Sequence, residues 1–344
     1  MEYFIKNNGV MNLEDILFAM QQRNLVYNGD FRYYSNQVPN GSVIVYGTPD
    51  GWMYKDQGQN GKVDFDPSTD ECVITKSSDK SLMTFKQNLH EFPRWEAMLL
   101  GQQVTGKVVL KTSVDATVSV ALSDGIFTDT QSKTGKGNME FEVGISVNDS
   151  AKFLSIAVES TTAHVIIGIS SVCVNVGSIA LRHLPCMVQG IIGQRHQYVA
   201  TEAPPAEELS LCKASEELSS DYTRLDSVLN KRFGEGTNGM SLLPDMRGYF
   251  SRAWDNGAAI DPDAKSRKAL GKSTVTGDHV GTLQEDEFLE HQHGLKFSTD
   301  KPILIGDKIS ATIINTTSTS KTENSGGKET RPKNIDELYT IKWA

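Results

Sequence analysis

Two histidines, His291 and His293, are the residues whose type and spacing best suit metal chemistry. In an extended segment alternate side chains share a face, so these imidazoles would lie roughly 7 Å apart along the strand. The pair can bind one metal ion but cannot complete a shell of about four or six ligands. Three chains around a threefold axis would supply about six nitrogens, a shell better suited to iron, nickel or cobalt than to tetrahedral zinc. Taken alone, His-x-His is a weak signal, and surface or hydrogen-bonded histidines are the alternative.

Four further motifs accompany the histidine pair. They are Gly234–Gly239, Leu243–Phe250, Gly281–Asp286 and Glu329–Asn334. With these motifs the chain resembles the phage tail-collar family, which includes the receptor-binding tips of tail fibres. The resemblance implies a homotrimer with an irregular, intertwined tip. It also implies one transition-metal ion per trimer, iron or zinc, held on the threefold axis by His291 and His293.

Charge and hydropathy exclude several classes of partner. The 344 residues carry a formal net charge of −9, and the pI is near 5.3. This balance argues against a nucleic-acid or anionic-membrane partner. No run of about 18 apolar residues is present, and the start Met1–Lys6 lacks the pattern of a signal peptide, so we expect no membrane insertion. The four cysteines show no CxxC spacing, and we expect buried thiols.

The hydrophobic pattern predicts a mainly β protein. Residues 12–23 have apolar residues at helical spacing and predict one N-terminal helix. From residue 24 to about 178, short alternating strands separated by turns favour a β-sandwich or jelly roll, for example at 107–111, 117–122, 139–143 and 153–158. Three segments look like the galactose-binding-like jelly rolls of phage fibre proteins: Asn24–Phe31, Pro49–Trp52 and Ile169–Ser178.

Aromatic residues of the predicted sandwich are candidates for glycan binding, because sugar rings stack on aromatic faces. The candidates are Tyr33, Tyr34, Trp52, Tyr54 and Trp95. Packing in a core is the alternative role of the same side chains, which would make the domain a structural spacer.

We predict four parts of the chain. Residues 1–23 form an attachment segment, 24–180 a carbohydrate-binding-like β-sandwich, 181–206 a junction, and 207–344 a small α+β tail-collar domain with a metal-binding tip. Within the last part, the apolar spacing predicts a helix over about 219–233. A polar insert around residues 300–326 is expected to form an exposed tip that carries receptor contacts.

The sequence favours a structural tail-fibre or receptor-binding protein that is not an enzyme. No nucleophile or hydrolase motif is present. The acidic run Glu285–Glu287 offers carboxylates without a recognisable cleft, and Asp255–Gly257 suits a turn better than a calcium loop. The alternatives are a glycan-cleaving depolymerase and a baseplate component without receptor binding. Expected partners are other copies of the chain, phage tail or baseplate proteins, and a bacterial surface glycan or outer-membrane receptor. The expected location is the virion tail, assembled in the bacterial cytoplasm.

Overall fold

A computed structural model describes residues 5–6, 9–10, 13–40, 43–286 and 334–344. The chain divides into two units, residues 1–282 with 337–344, and residues 283–336. Up to residue 176 the elements are β1 (Ile5–Lys6), β2 (Gly9–Val10), α1 (Leu13–Met20), β3 (Val38–Asn40), β4 (Val43–Val45), β5 (Met53–Asp56), β6 (Lys62–Asp66), β7 (Glu71–Thr75), β8 (Met83–Asn88), α2 (Trp95–Leu99), β9 (Gln103–Ser123), β10 (Thr128–Ser146), β11 (Ser155–Ser160) and β12 (Ile166–Val176). After residue 176 the elements are β13 (Arg195–Tyr198), β14 (Glu208–Ser210), α3 (Thr223–Leu229), β15 (Lys268–Ala269), β16 (Thr282–Leu283) and β17 (Leu338–Lys342).

The protein is mainly β, as the sequence predicted, and its largest part is a β-sandwich. Eight antiparallel strands pair in the order β5-β8-β11-β9-β12-β7-β6, with β10 along the other edge of β9. Residues 118–123 of β9 pair with β11, whereas residues 104–112 pair with β12. One strand therefore belongs to both layers. Buried side chains at alternate positions of both halves, such as Val108 and Val120, face a single core.

The prediction of short, separate strands was wrong for this region. Segments 107–111 and 117–122 lie in the same 21-residue strand β9, which pairs with the 19-residue β10 along almost its whole length. Between the two segments stand Ser113, Val114 and Asp115, which include no glycine or proline to end a strand. The chain instead bends there, and Val114 is exposed at the bend.

The second half of β10 is an edge whose backbone donors are covered by the first half. The Glu142 N–H donates to Oε1 of Gln131 at 2.9 Å, and the Gly144 N–H donates to Oδ2 of Asp129 at 2.8 Å. Lys133 Nζ donates to the Glu140 carbonyl. Because unpaired edge groups are templates for another strand, these side chains protect the sandwich from edge-to-edge association.

A second hydrophobic cluster lies beside the sandwich within the same unit. It is built around the three-stranded sheet β13-β17-β14 and helix α3, with Leu225, Leu229 and Ile341 among its buried residues. Tyr27, from the first loop of the chain's sandwich region, also belongs to this cluster. The predicted domain boundaries, including a junction at 181–206, stay predictions.

The predicted helix at 219–233 is shorter in the structure. A single 3₁₀ turn at Ser220–Tyr222 is capped by the Ser219 side chain, which accepts from the Asp221 N–H. Helix α3 follows and ends at Leu229, because Asn230 and Lys231 adopt left-handed backbone angles with φ of 45° and 59°. The N-terminal helix is likewise shortened to α1. Among the described residues, no helix is long and apolar enough to cross a membrane.

Candidate ligand-binding cleft

A cleft of about 400 Å³ opens between two loops, residues 24–33 and residues 182–190. Ser171 and Val172 of β12 contribute to its wall. The two loops are distant in sequence and meet because Asn24 N–H donates to the Pro185 carbonyl at 2.8 Å, and Met187 N–H donates to the Asn24 carbonyl at 2.8 Å. Backbone pairing thus defines the width of the cleft at this point.

Two buried asparagines hold the first loop in one conformation. The Asn24 side chain donates to the Val172 carbonyl at 3.2 Å and accepts from the Val174 N–H at 2.9 Å. Asn28 has a left-handed backbone, with φ of 52°, and its amide donates to the Tyr33 carbonyl at 2.9 Å. Between them Gly29 lies so close to β12 that an added Cβ would stand 2.2 Å from the Val172 oxygen. The loop is therefore preorganised before any ligand arrives.

Two tyrosines form a stacked aromatic pair at the cleft. The rings of Tyr27 and Tyr33 stack with centroids 6.0 Å apart and an interplanar angle of 10°. Tyr27 is buried, and its hydroxyl accepts from the Ile192 N–H at 3.1 Å. Burial raises the pKa of the Tyr27 phenol, so that the hydroxyl stays neutral. Tyr33 is half-buried and lines the cleft. A ligand in the cleft can therefore contact an aromatic ring that is supported by the buried Tyr27.

Charged and polar groups surround this stacked tyrosine pair. Arg32 Nε lies 2.6 Å from Asp30 Oδ2, and its guanidinium carbon lies 6.0 Å from the centroid of the Tyr33 ring. Arg182 and His183 line the opposite loop and are exposed. The cleft thus combines an aromatic face with hydrogen-bonding groups, the combination that small-molecule sites use for affinity and orientation.

Of the five aromatic residues predicted as glycan contacts, Tyr33 is the one that lines this cleft. Trp52 is 1% exposed and stacks on Phe85 with centroids 4.4 Å apart. Tyr34 is buried against neighbouring aromatic rings. The other two are half-buried elsewhere, Tyr54 with its hydroxyl on Asp56 and Trp95 beside His90. For Trp52 and Tyr34, the core alternative is the correct one.

The predicted metal ligands His291 and His293 lie outside the described residues, as do Glu287 and the polar insert at 300–326. Within the described part of the chain, no group of three or more His, Cys, Asp or Glu side chains is placed to hold a metal ion. The Asp255 carboxylate accepts from the backbone N–H groups of Ala259, Ile260 and Asp261 at 2.9 Å each. These bonds lower the pKa of Asp255 and identify the segment as a turn.

One polar cluster was missed by the sequence reasoning. The buried Glu208 carboxylate accepts from the Tyr198 hydroxyl at 2.8 Å and from the Thr340 hydroxyl. Nδ1 of His196 lies 2.7 Å from the same carboxylate. The three partners come from β13 and β17, which flank one another in the small sheet. Only strand pairing brings them together, so no local motif marks the cluster.

The chain is similar in sequence to a curated protein. Protein RhiB of Rhizobium leguminosarum bv. viciae is 32% identical over 164 residues, which are 46% of this chain and 74% of the relative. No family model matches the chain. The tail-collar resemblance therefore has no support from a family match.

Two solved structures are similar to parts of the chain. TmCBM61 in complex with β-1,4-galactotriose is 12% identical, with a TM-score of 0.32, and the match covers 47% of this chain and 99% of that one. The enzymatically active domain of bacteriophage CBA120 tailspike protein 4 is 15% identical, with a TM-score of 0.31, over 44% of this chain and 21% of that one.

Proposed function

The chain belongs to the family of the Rhizobium leguminosarum protein RhiB, and we propose that it is a glycan-binding protein without catalytic activity. Its ligand occupies the cleft between residues 24–33 and 182–190. The observation that carries this proposal is the half-buried Tyr33 ring, stacked on the buried Tyr27 at the wall of a preorganised cleft. A sugar ring needs an aromatic face for its C–H groups and polar neighbours for its hydroxyls.

The walls of the cleft favour binding over hydrolysis. A glycosidase needs two carboxyl groups about 5 to 10 Å apart on either side of the scissile bond. Among the described residues that line the cleft, Asp30 supplies the single carboxylate, and this group is engaged with Arg32 at 2.6 Å. A second carboxyl in the role of acid or base is therefore missing from the described walls.

The biological setting that we propose is the tail of a bacteriophage. The support is the resemblance of residues 234–334 to the tail-collar family, in motifs such as Leu243–Phe250. Under this proposal three copies assemble, His291 and His293 hold one transition-metal ion on the threefold axis, and the virion binds a glycan of the host surface. A baseplate component with the same fold but no receptor is the second candidate, and the glycan-binding test separates the two.

Binding of host envelope polysaccharide to the purified chain tests the proposal. We expect saturable binding by titration calorimetry and no shortening of the polysaccharide. Tyr33→Ala should weaken binding about tenfold or more, since stacking on an aromatic face is lost. Tyr249→Ala, which removes a 41% exposed tyrosine outside the cleft, is the control. Equal affinities of the Tyr33 variant and the parent would refute the cleft as the site, and shortened chains would indicate a depolymerase.

A further inference from the structure

The cleft differs in charge from the rest of the chain. Its walls contain Arg32 and Arg182 against Asp30, a formal balance of two positive charges and one negative charge, or +1 with His183 neutral. The whole chain carries −9. Arg32 and Asp30 largely offset one another, because their side chains are paired at 2.6 Å. The cation that remains available to a ligand is Arg182.

Arg182 has no ion-pair partner among the residues that the structure describes. The chain around it is nevertheless held in place. Before it, the buried Asn175 side chain donates to the Ile179 carbonyl at 2.9 Å and accepts from the Leu181 N–H at 3.2 Å. After it, Asn24 pairs with the backbone of Pro185. An exposed arginine without a partner is thus presented at the mouth of the cleft from an anchored loop.

We propose that the cleft selects saccharides that carry a carboxylate over neutral saccharides of the same size. This inference rests on the proposed glycan-binding function and names its ligand class. Arg182 would pair with the sugar carboxylate through its planar fork of N–H donors, which matches the two carboxylate oxygens. Tyr33 would hold the sugar ring beside it. His183, adjacent on the same loop, adds a hydrogen-bonding group to the anion.

An oligosaccharide of galacturonic acid and its methyl ester test the inference, because the two probes share a backbone and differ in charge. We expect the acid to bind about five- to tenfold more tightly than the ester at low salt. Arg182→Gln should remove this preference, so that the variant binds the acid and the ester with equal affinity. Arg182→Lys, which keeps the charge without the fork, should restore part of it. Arg94→Gln is the control, since Arg94 is an exposed arginine outside the cleft.

The outcomes separate this inference from the function on which it rests. Equal binding of acid and ester by the parent overturns the carboxylate preference and leaves glycan binding intact. A preference that survives Arg182→Gln refutes the role of Arg182. A sulfated oligosaccharide that binds while the uronic acid does not would overturn the choice of carboxylate. If neither the probes nor envelope polysaccharide bind to the parent, the proposed function itself fails.

Discussion

Arg224 and Glu91 hold each other in a fully buried contact between helix α3 and the sandwich. The Arg224 guanidinium donates to the carbonyls of Glu91 and Leu25 at 3.2 and 3.0 Å. In return the Glu91 carboxylate accepts from the Arg224 backbone N–H at 2.8 Å and from the Thr223 hydroxyl. Burial lowers the pKa of Arg224 and raises that of Glu91, and each charge opposes the shift of the other. The two hydrophobic clusters are thereby joined through a polar contact.

Replacing this arginine should destabilise the whole unit. In Arg224→Met the carbonyls of Glu91 and Leu25 lose their donors, and the buried Glu91 carboxylate loses its compensating charge. We expect the free energy of unfolding to fall by about 3 kcal/mol or more. Guanidinium unfolding followed by tryptophan fluorescence measures the change. Arg94→Met, at an exposed position, serves as the control, and matching stabilities of the two variants would contradict the prediction.

The Glu208 cluster should make stability depend on acid. Burial would raise the pKa of Glu208, but hydrogen bonds from Thr340, Tyr198 and His196 outweigh it and lower the pKa below its usual value of 4.5. Because its pKa is lowered in the folded state, the Glu208 carboxylate contributes to the free energy of unfolding at pH values above the unfolded pKa. This contribution is lost as pH falls through the folded pKa. At pH 7 we expect Glu208→Gln to be less stable than the parent. On acidification the stability of the variant should fall less than the stability of the parent.

Unfolding midpoints between pH 7 and pH 3, measured for parent and variant in parallel, check this prediction. Glu202→Gln, an exposed glutamate, is a matched control. Identical slopes of stability against pH for parent and Glu208→Gln would show that the cluster contributes nothing to the acid dependence.

Removing the caps of the β10 edge should promote association. In the double variant Asp129→Ala, Gln131→Ala, the N–H groups of Gly144 and Glu142 lose their acceptors and become available to another strand. We expect a small loss of stability, about 1 kcal/mol per lost bond, and aggregation that is faster than this loss of stability alone would cause. Light scattering at 37 °C measures the rate. Thr130→Ala on the same strand is the control, and if it aggregates as fast as the double variant, the caps have no protective role.

The histidine pair stays a prediction of the sequence, and it has a direct test. Parent protein should have the mass of a trimer and contain about one metal ion per three chains. His291→Ala, His293→Ala should lose that metal and unfold at a lower temperature, because the unfolded chain has no such site. His279→Ala, outside the pair, should retain it. Native mass spectrometry with metal analysis decides, and a monomeric mass at micromolar concentration would refute the trimer.

The sequence predicted the fold class more successfully than the binding cleft. Alternation of apolar residues in segments such as 117–122 identified the sandwich, because strand periodicity is a local signal. The length of β9 was missed, since nothing local tells a bend from a turn at Ser113–Asp115. The pairing of Asn24 with Pro185 and the burial of Arg224 depend on contacts across more than 130 residues. No pattern in the sequence marks such contacts.

The shared strand β9 also bears on the order in which the chain folds. The β9–β10 ribbon is a hairpin with a short connection at Asp124–Phe127, and hairpins form within about 1–10 μs. Strands β11 and β12 follow it along the chain and dock on different halves of β9. A ribbon formed early would therefore template both layers at once. The relative orientation of the two layers would then be set by one continuous strand. In a sandwich assembled from separate sheets, this orientation is reached only when the sheets make contacts that are distant in sequence.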